Sequence, residues 1–127
     1  MKTSIGAIVA VLISLFVFVN ADGSPIIIEK PRDQYVKNGG TVLFFCKATG
    51  HPPPEIIWRK IGDKSPKKII STNRFTVIPG LGFSVLRIDV IRSERDEGRY
   101  ECLTQNSGGE QTASAKLLVY PGKCLLI

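Results

Sequence analysis

Short apolar runs alternate with turn-forming residues along most of the chain. The runs are rich in Val, Ile, Phe and Thr, recur at intervals of roughly 8 to 15 residues, and are separated by Gly, Pro, Asn or Ser. Nothing in the pattern indicates a long helix, and it predicts an all-β antiparallel sandwich. The predicted strands are Ile26 to Glu29, Gln34 to Lys37, Thr41 to Thr49, Glu55 to Lys60, Phe75 to Ile78, Phe83 to Ile91, Gly98 to Asn106 and Glu110 to Val119.

Alternation within the strands separates a core face from an outward face. Leu86 and Ile88 share one side of their strand, with Arg87 and Asp89 on the other. The same alternation predicts a core that contains Leu86, Ile88, Tyr100, Cys102, Val42, Phe44 and Cys46.

Cys46, Trp58 and Cys102 have the order and spacing of a disulfide that packs against a buried indole in a two-sheet sandwich. A bond between the two cysteines would close a loop of about 57 residues and, on the loop-entropy model, would contribute about 4 kcal/mol. That is a large part of the stability of a small domain, so we expect the domain to tolerate reduction badly.

Tyr100 lies two residues before Cys102, which is typical of a tyrosine corner. In this arrangement a buried phenol bonds to a backbone group and fixes the turn into the strand. Asp96 precedes the same strand, and Arg74, which precedes a strand of its own, is its predicted partner in a structural ion pair.

Residues 1–21 have the form of a secretory signal peptide. Lys2 supplies the positive start, Ile5 to Val19 is almost unbroken apolar sequence, and Val19-Asn20-Ala21 ends on a small residue, so we predict cleavage before Asp22. The alternative is a signal anchor retained in the membrane, but an apolar run of roughly 15 residues is short for the roughly 20 that span a bilayer. No second run of spanning length follows, so the predicted mature chain has no transmembrane segment and is secreted or lies on the extracellular face of the cell surface.

Charge and composition exclude several classes of function. The net charge is +6, from 17 basic and 11 acidic residues, and an extracellular basic protein meets acidic polysaccharide more readily than nucleic acid. The only histidine, His51, lies beside a proline run, and no nucleophile, base and orienting group can be assembled around it. Two of the three cysteines are assigned to the core, so a metal site cannot be completed. We therefore expect no enzymatic activity, no metal, no cofactor and no nucleic-acid partner.

Two motifs resemble the I-set immunoglobulin fold of cell-adhesion receptors, namely Gly50-His51-Pro52-Pro53-Pro54-Glu55-Ile56-Ile57-Trp58 and Asp96-x-Gly98-x-Tyr100-x-Cys102. Four further segments are similar to the first immunoglobulin domain of LAR-type receptor protein tyrosine phosphatases: Asn73-Arg74-Phe75-Thr76-Val77-Ile78, Ser84-Val85-Leu86-Arg87-Ile88, Arg95-Asp96-Glu97 and Gln105-Asn106-Ser107-x-Gly109-Glu110. The resemblance implies an immunoglobulin-like I-set domain over residues 25–119, with its catalytic phosphatase domain elsewhere if the chain is a receptor fragment.

Members of that family continue into a second immunoglobulin domain, from which residues 120–127 depart. These residues are therefore expected to be a tail produced by truncation, an alternative exon or the end of a gene model. If the tail is real as written, an exposed Cys124 would be able to pair between two chains and form a dimer.

The segment between Trp58 and Phe75 holds six basic residues and one acid, Asp63, and contains Gly62 and Pro66, so it is predicted to be an exposed loop. Its part with Lys60, Lys64, Lys67 and Lys68 is called the basic loop below. Lysines suit sulfate groups as point charges, and because each exposed contact is weak, affinity requires several together.

The resemblance implies which ligand this loop binds. In LAR-type receptors the corresponding loop and a nearby turn bind heparan and chondroitin sulfate, and the family pattern Trp-x-Lys-Lys-Gly-Lys-Lys is matched here at Lys60 and Lys64, with Ile61 and Asp63 at two of its lysine positions. Arg92 and Arg95 match the basic positions of the turn. The resemblance thus implies a glycosaminoglycan-binding site at Lys60, Lys64, Lys67, Lys68, Arg92 and Arg95.

Two alternatives remain at this point. Charge runs commonly form a solvated loop with no ligand, and adhesion or decoy immunoglobulin domains often act through a protein interface on an exposed sheet face or edge strand. The salt dependence of the affinity distinguishes polysaccharide binding from binding through an apolar protein interface, because only polysaccharide binding weakens steeply as the salt concentration rises.

Overall fold

The structure of this protein is a computed structural model that describes residues 23–62 and 64–121. The predicted signal peptide, its cleavage before Asp22, and Cys124 lie outside the described residues. Within the described ranges, no helix is long and apolar enough to cross a membrane.

The described chain folds into short strands and one helical turn. In chain order they are β1 (Ile26–Glu29), β2 (Gln34–Lys37), β3 (Val42–Thr49), β4 (Glu55–Ile61), β5 (Lys67–Lys68), β6 (Phe75–Pro79), β7 (Phe83–Ile88), α1 (Ser93–Asp96), β8 (Gly98–Asn106) and β9 (Gly109–Tyr120).

The strands form two sheets. One has the order β1-β3-β7-β6 and the other β2-β9-β8-β4-β5. β2 pairs in parallel with β9, while the other described pairs are antiparallel. This arrangement confirms the predicted all-β sandwich.

The core lies between the sheets and is closed by a covalent bond. Cys46 in β3 and Cys102 in β8 form the predicted inter-sheet disulfide, with their Cα atoms 6.4 Å apart. Trp58 in β4 is 1% exposed, and its Nε1–H donates a hydrogen bond of 2.9 Å to Ser84 Oγ in β7. The indole is therefore buried without an unpaired donor. The core residues are Val42, Phe44, Cys46, Trp58, Leu86, Ile88, Ile91, Tyr100, Cys102, Ala115 and Leu117.

β7 ends at Ile88, three residues before the end predicted from the apolar pattern. Val90 has a φ of 52°, in the left-handed region that β-branched residues seldom adopt, so the chain turns out of the sheet there. The N–H of Ile91 then donates to the carbonyl of Gly40 at 3.1 Å, and the Ile91 side chain is fully buried. The apolar run is continuous because Ile91 fills the core after the strand has ended.

Two elements were not predicted from the sequence. β5 lies in the segment expected to be a loop and pairs with the end of β4, and α1 forms the turn that leads into β8. Both lie at the end of the sandwich that carries the candidate site.

Candidate functional site

The basic loop is a hairpin whose two strands place like charges opposite one another. Arg59 of β4 pairs with Lys68 of β5, and Lys60 pairs with Lys67. Lys64 lies exposed in the connection between the strands. Like charges directly opposite in a sheet are destabilising, so the hairpin has a local excess of positive charge that an anion would relieve.

Some of the cations in and near the hairpin form ion pairs with acidic side chains of the fold, and others do not. Among the described residues, the ion pairs join Arg59 to Glu101, Arg74 to Asp96, Arg87 to Asp89, and Arg95 to Asp96. None of these pairs includes Lys64, Lys67 or Lys68, whose side chains are exposed. These three lysines are therefore the flexible cations of the hairpin.

Lys60 differs from the other lysines because it is partly buried. It lies on β4 opposite Tyr100 of β8, and its Nζ is 5.6 Å from the centre of the Tyr100 ring. The ammonium group donates a hydrogen bond of 2.8 Å to the backbone carbonyl of Arg95. Burial lowers the pKa of Lys60; the carboxylate of Asp96 acts in the opposite direction, and the Arg74 charge adds to the lowering. Lys60 thus joins the hairpin to the turn at α1.

That turn is held by a buried carboxylate. Asp96 is 1% exposed, and its two oxygens each accept a hydrogen bond of 3.0 Å from Arg74. It also accepts hydrogen bonds from the backbone N–H of Arg92 at 2.9 Å and from Nε of Arg95 at 3.2 Å. The hydroxyl of Tyr100 donates to the carbonyl of Asp96 at 2.7 Å, in the geometry of a tyrosine corner. Arg74 and Asp96 therefore stabilise the turn from within the fold.

The two arginines of the turn have different surroundings. Arg95 is about half exposed and also donates from its guanidinium to the carbonyl of Val90 at 2.5 Å. Arg92 is less exposed. Its guanidinium lies close to Gly39, in the turn between β2 and β3, where a Cβ atom on residue 39 would be only 3.2 Å from it. The contact with Lys60 joins Arg95, rather than Arg92, to the hairpin.

Shallow grooves run along the hairpin. Lys60, Gly62, Lys64, Ser65 and Lys67 line one of them. A second lies on the other side and is lined by Lys60, Lys67, Lys68, Ile69, Ile70, Thr72 and Phe75. The structure therefore brings the four predicted lysines together on one hairpin, with Lys60 bonded to the backbone of Arg95.

Two further cations that were not predicted as site residues, Arg99 of β8 and Lys116 of β9, lie directly opposite one another. Both face outward on the five-stranded sheet. The alternation around Tyr100 placed Arg99 outward, but only the pairing of β8 with β9 shows that Lys116 is its neighbour.

An exposed apolar face lies on the other sheet. Leu43 is 55% exposed and Ile78 is 45% exposed, and on the same face the rings of Phe45 and Phe83 stack with centroids 5.8 Å apart. This face belongs to β3, β6 and β7, whereas the basic loop belongs to the other sheet.

Within the described part of the chain, no group of three or more His, Cys, Asp or Glu side chains is placed to hold a metal ion. The chemistry that the basic loop offers is attraction of anions by several side-chain cations.

The two-sheet sandwich, the inter-sheet disulfide and the buried tryptophan define an immunoglobulin-like domain. The family model of the immunoglobulin I-set domain matches residues 25–119, and the chain belongs to that family.

The chain is similar to the LAR-type receptor phosphatases. The chain is 45% identical over 108 residues to tyrosine-protein phosphatase Lar of Drosophila melanogaster, an alignment that covers 82% of this chain and 5% of the relative. It is 45% identical over 112 residues to human receptor-type tyrosine-protein phosphatase F, covering 86% of this chain and 6% of the relative.

A crystal structure of the N-terminal Ig1–2 module of the Drosophila receptor phosphatase DLAR has 43% sequence identity and a TM-score of 0.71, covering 78% of this chain and 50% of that one. The chain spans a small part of these receptors and about half of the two-domain module. Residues 25–119 form an immunoglobulin domain related to the receptor phosphatases, and a phosphatase catalytic domain is not part of these residues.

Proposed function

We propose that this domain is an extracellular binding module that contacts sulfated glycosaminoglycan through the basic loop. The observation that carries the proposal is the cross-strand pairing of like charges in the β4–β5 hairpin, next to Arg95. Exposed charge contacts are individually weak, but several acting on one polyanion add to a useful affinity. The likeness to LAR-type receptors supports an extracellular binding role for the domain.

Six residues form the proposed site, with different roles. Lys64, Lys67 and Lys68 are exposed and free of the described ion pairs, so they are suited to contact sulfate groups directly. Lys60 and Arg95 lie where the hairpin meets the turn, and each already makes a hydrogen bond within the fold. Arg92 would contact only a ligand that extends toward the β2–β3 turn.

Chromatography on immobilised heparin in a salt gradient tests the proposal. The full chain is produced by secretion and purified with its disulfide formed. We expect elution well above physiological salt, about 0.15 M, because several charge contacts must be screened together. A loop variant that combines Lys64→Gln, Lys67→Gln and Lys68→Gln is expected to elute at or below that concentration.

A control variant of equal charge separates a site from a general charge effect. Lys30, Arg32 and Lys47 are exposed and lie outside the basic loop, so their joint change to glutamine removes the same charge. The control is expected to elute close to the unchanged protein. Equal elution of loop and control variants would show that the basic loop is a solvated surface with no preference for the polyanion.

The second candidate function is that of an adhesion or decoy domain that binds a protein partner without glycosaminoglycan. The exposed apolar face of β3, β6 and β7 favours it, because contiguous apolar side chains on a surface commonly mark an interface. Binding to a partner through this face would change little with salt, and Leu43→Ser with Ile78→Ser would weaken it while leaving retention on heparin intact.

The extracellular location forms part of the proposal, with residues 1–21 as the signal peptide. Expression in secretory cells followed by N-terminal sequencing of the product in the medium is expected to give a chain that begins at Asp22. Retention of the chain in the membrane fraction with its leader uncut would instead support a signal anchor.

A further inference from the structure

The outward face of the five-stranded sheet carries a second group of paired cations. Arg99 of β8 lies directly opposite Lys116 of β9, and Arg59 of β4 lies directly opposite Lys68 of β5. Arg59 and Arg99 point outward because their neighbours Trp58 and Tyr100 belong to the core. The same alternation beside buried Leu117 directs Lys116 outward.

The four cations form two offset pairs across the sheet, because Arg99 lies opposite Ile61 of β4 and Arg59 lies opposite Glu101 of β8. The strand order β9-β8-β4-β5 places Lys116, Arg99, Arg59 and Lys68 on successive strands. Three steps of about 4.8 Å between strands, with an offset of two residues or about 7 Å along them, give a span of roughly 16 Å. We call this the cross-sheet surface; it meets the basic loop at Lys68.

Three carboxylates lie near this surface, and each has a partner within the fold. Glu101 pairs with Arg59, Glu97 accepts a hydrogen bond of 2.8 Å from the N–H of Val119, and Asp33 accepts one of 2.8 Å from the N–H of Lys116. Among the described ion pairs, none includes the side chain of Arg99 or Lys116.

The Arg99 guanidinium instead donates to the hydroxyl of Ser114 at 3.3 Å, a neutral acceptor. The like charges of Arg99 and Lys116 therefore form no salt bridge within the described part of the fold, although Glu97 and Asp33, whose hydrogen bonds come from neutral backbone groups, keep their negative charges nearby. Like charges directly opposite one another weaken a sheet.

A groove is present at this pair of cations. It is lined by Glu97, Gly98, Arg99, Lys116, Leu117 and Leu118. A ligand in this groove would lie beside two cations, Arg99 and Lys116, and one carboxylate, Glu97.

We propose that the cross-sheet surface binds the continuation of the same sulfated polysaccharide chain that the basic loop contacts. This inference rests on the proposed function and extends it, because it assigns Arg99 and Lys116 to ligand binding and predicts a dependence on ligand length. A linear polyanion fits the arrangement, since the cations are spread over the flat face rather than gathered around a single anion.

Heparin fragments of two lengths test the inference. The full chain is titrated at fixed ionic strength with a heparin tetrasaccharide and with a heparin dodecasaccharide. A cross-sheet variant combines Arg99→Gln with Lys116→Gln, and a control variant of equal charge combines Lys30→Gln with Lys47→Gln, both exposed and outside the two surfaces. The unfolding midpoint of each variant, followed by the fluorescence of Trp58, verifies that the fold is retained.

We expect the cross-sheet variant to bind the dodecasaccharide roughly fivefold more weakly, the effect of losing two exposed charge contacts. Its affinity for the tetrasaccharide should change by less than about twofold, as should the affinity of the control variant for either fragment, since no contact is lost. The loop variant should lose affinity for both fragments.

The outcomes separate the two levels of the proposal. If the cross-sheet and control variants bind the dodecasaccharide equally, the inference about the cross-sheet surface is overturned, and its paired cations would serve another partner such as an acidic protein. The proposed site at the basic loop would be unaffected by that result. If the unchanged protein binds neither fragment at physiological salt, the proposed function itself fails.

Discussion

Removal of the Asp96 charge is predicted to destabilise the domain by about 3 kcal/mol. Asp96 is 1% exposed and accepts two hydrogen bonds of 3.0 Å from the Arg74 guanidinium. Loss of one member of a buried ion pair costs about 3–5 kcal/mol, because the remaining charge is left without its partner. Since the Arg74 side chain is 24% exposed, water partly solvates it in Asp96→Asn, and we expect the lower end of that range.

A double-mutant cycle isolates the pair from its surroundings. Arg74 also donates to the backbone carbonyls of Asp89 and Val90, so Arg74→Met alone removes more than the ion pair. Comparison of the two single variants with the double variant cancels those contacts, and we expect a coupling energy of at least about 1.5 kcal/mol, the scale of a hydrogen bond to a charged group. Urea denaturation followed by the fluorescence of Trp58, the single tryptophan, measures each free energy of unfolding.

The pH dependence supplies an independent check. Burial raises the pKa of Asp96, but hydrogen bonds from Arg74 and from the backbone N–H of Arg92, with the Arg74 charge, lower it to below the ordinary value of 3.8. A carboxylate whose pKa is lowered on folding contributes its full stability above the pKa of the unfolded chain and loses it as pH falls through the folded pKa. The difference between the unchanged protein and Asp96→Asn should therefore be constant at neutral pH and shrink below about pH 4.

Either of two results would refute this reasoning. A coupling energy below about 0.5 kcal/mol would mean that the pair behaves as an exposed surface salt bridge. A difference between the unchanged protein and Asp96→Asn that grows as the solution is acidified would mean that the folded pKa of Asp96 is raised rather than lowered.

Three further predictions concern the same end of the sandwich and the core. Tyr100→Phe removes the hydroxyl that donates to the Asp96 carbonyl, and it should lower the free energy of unfolding, measured by urea denaturation, by about 1–1.5 kcal/mol. An unchanged free energy would show that the tyrosine corner does not stabilise the domain. Lys60→Ala should lower the free energy of unfolding by about 1 kcal/mol, because the Lys60 ammonium bonds to the Arg95 carbonyl, and should also lower the salt concentration needed for elution from heparin. Lys64→Ala should lower only the salt concentration needed for elution. Equal free energies of unfolding for the two variants would contradict this. Reduction of the disulfide by dithiothreitol should remove about 4 kcal/mol of stability and lower the thermal midpoint by more than about 10 °C, and a reduced chain that melts with the oxidised one would show that the bond is dispensable.

The sequence predicted the frame of this domain because the relevant signals are local. Strict alternation placed Leu86 and Ile88 in the core, and the spacing of Cys46, Trp58 and Cys102 predicted the inter-sheet disulfide that the structure confirms. The first signal follows from the two-residue period of a strand, and the second from the arrangement of disulfide and tryptophan typical of a two-sheet sandwich. The end of β7 was missed because a buried residue after a turn leaves the same apolar pattern as a buried residue in a strand.

The orientation of the cations was harder to predict, since a count of basic residues does not say which way they point. Lys60 lies two positions after Trp58, so the strand period already places it on the inner side, but its partner Arg95 depends on how the turn at α1 folds. The opposition of Arg99 and Lys116 follows from the tight turn after Asn106, because counting back from that turn pairs the two residues. β5 left no signal, since two lysines have neither the alternation nor the propensity of a strand.

The buried ion pair and the basic loop depend on each other through one short series of contacts. Arg74 holds Asp96, Asp96 accepts from Arg95, and the carbonyl of Arg95 accepts from Lys60 on the hairpin. The Arg95 side chain is therefore ordered by the fold before any ligand arrives, while Lys64 is exposed. Immobilising a long side chain on binding costs about 0.5–1.5 kcal/mol, and an ordered side chain avoids most of that cost. For this reason a weakened ion pair at Asp96 would disorder Arg95 and lower the affinity for a polyanion, although Asp96 itself carries the charge that repels one.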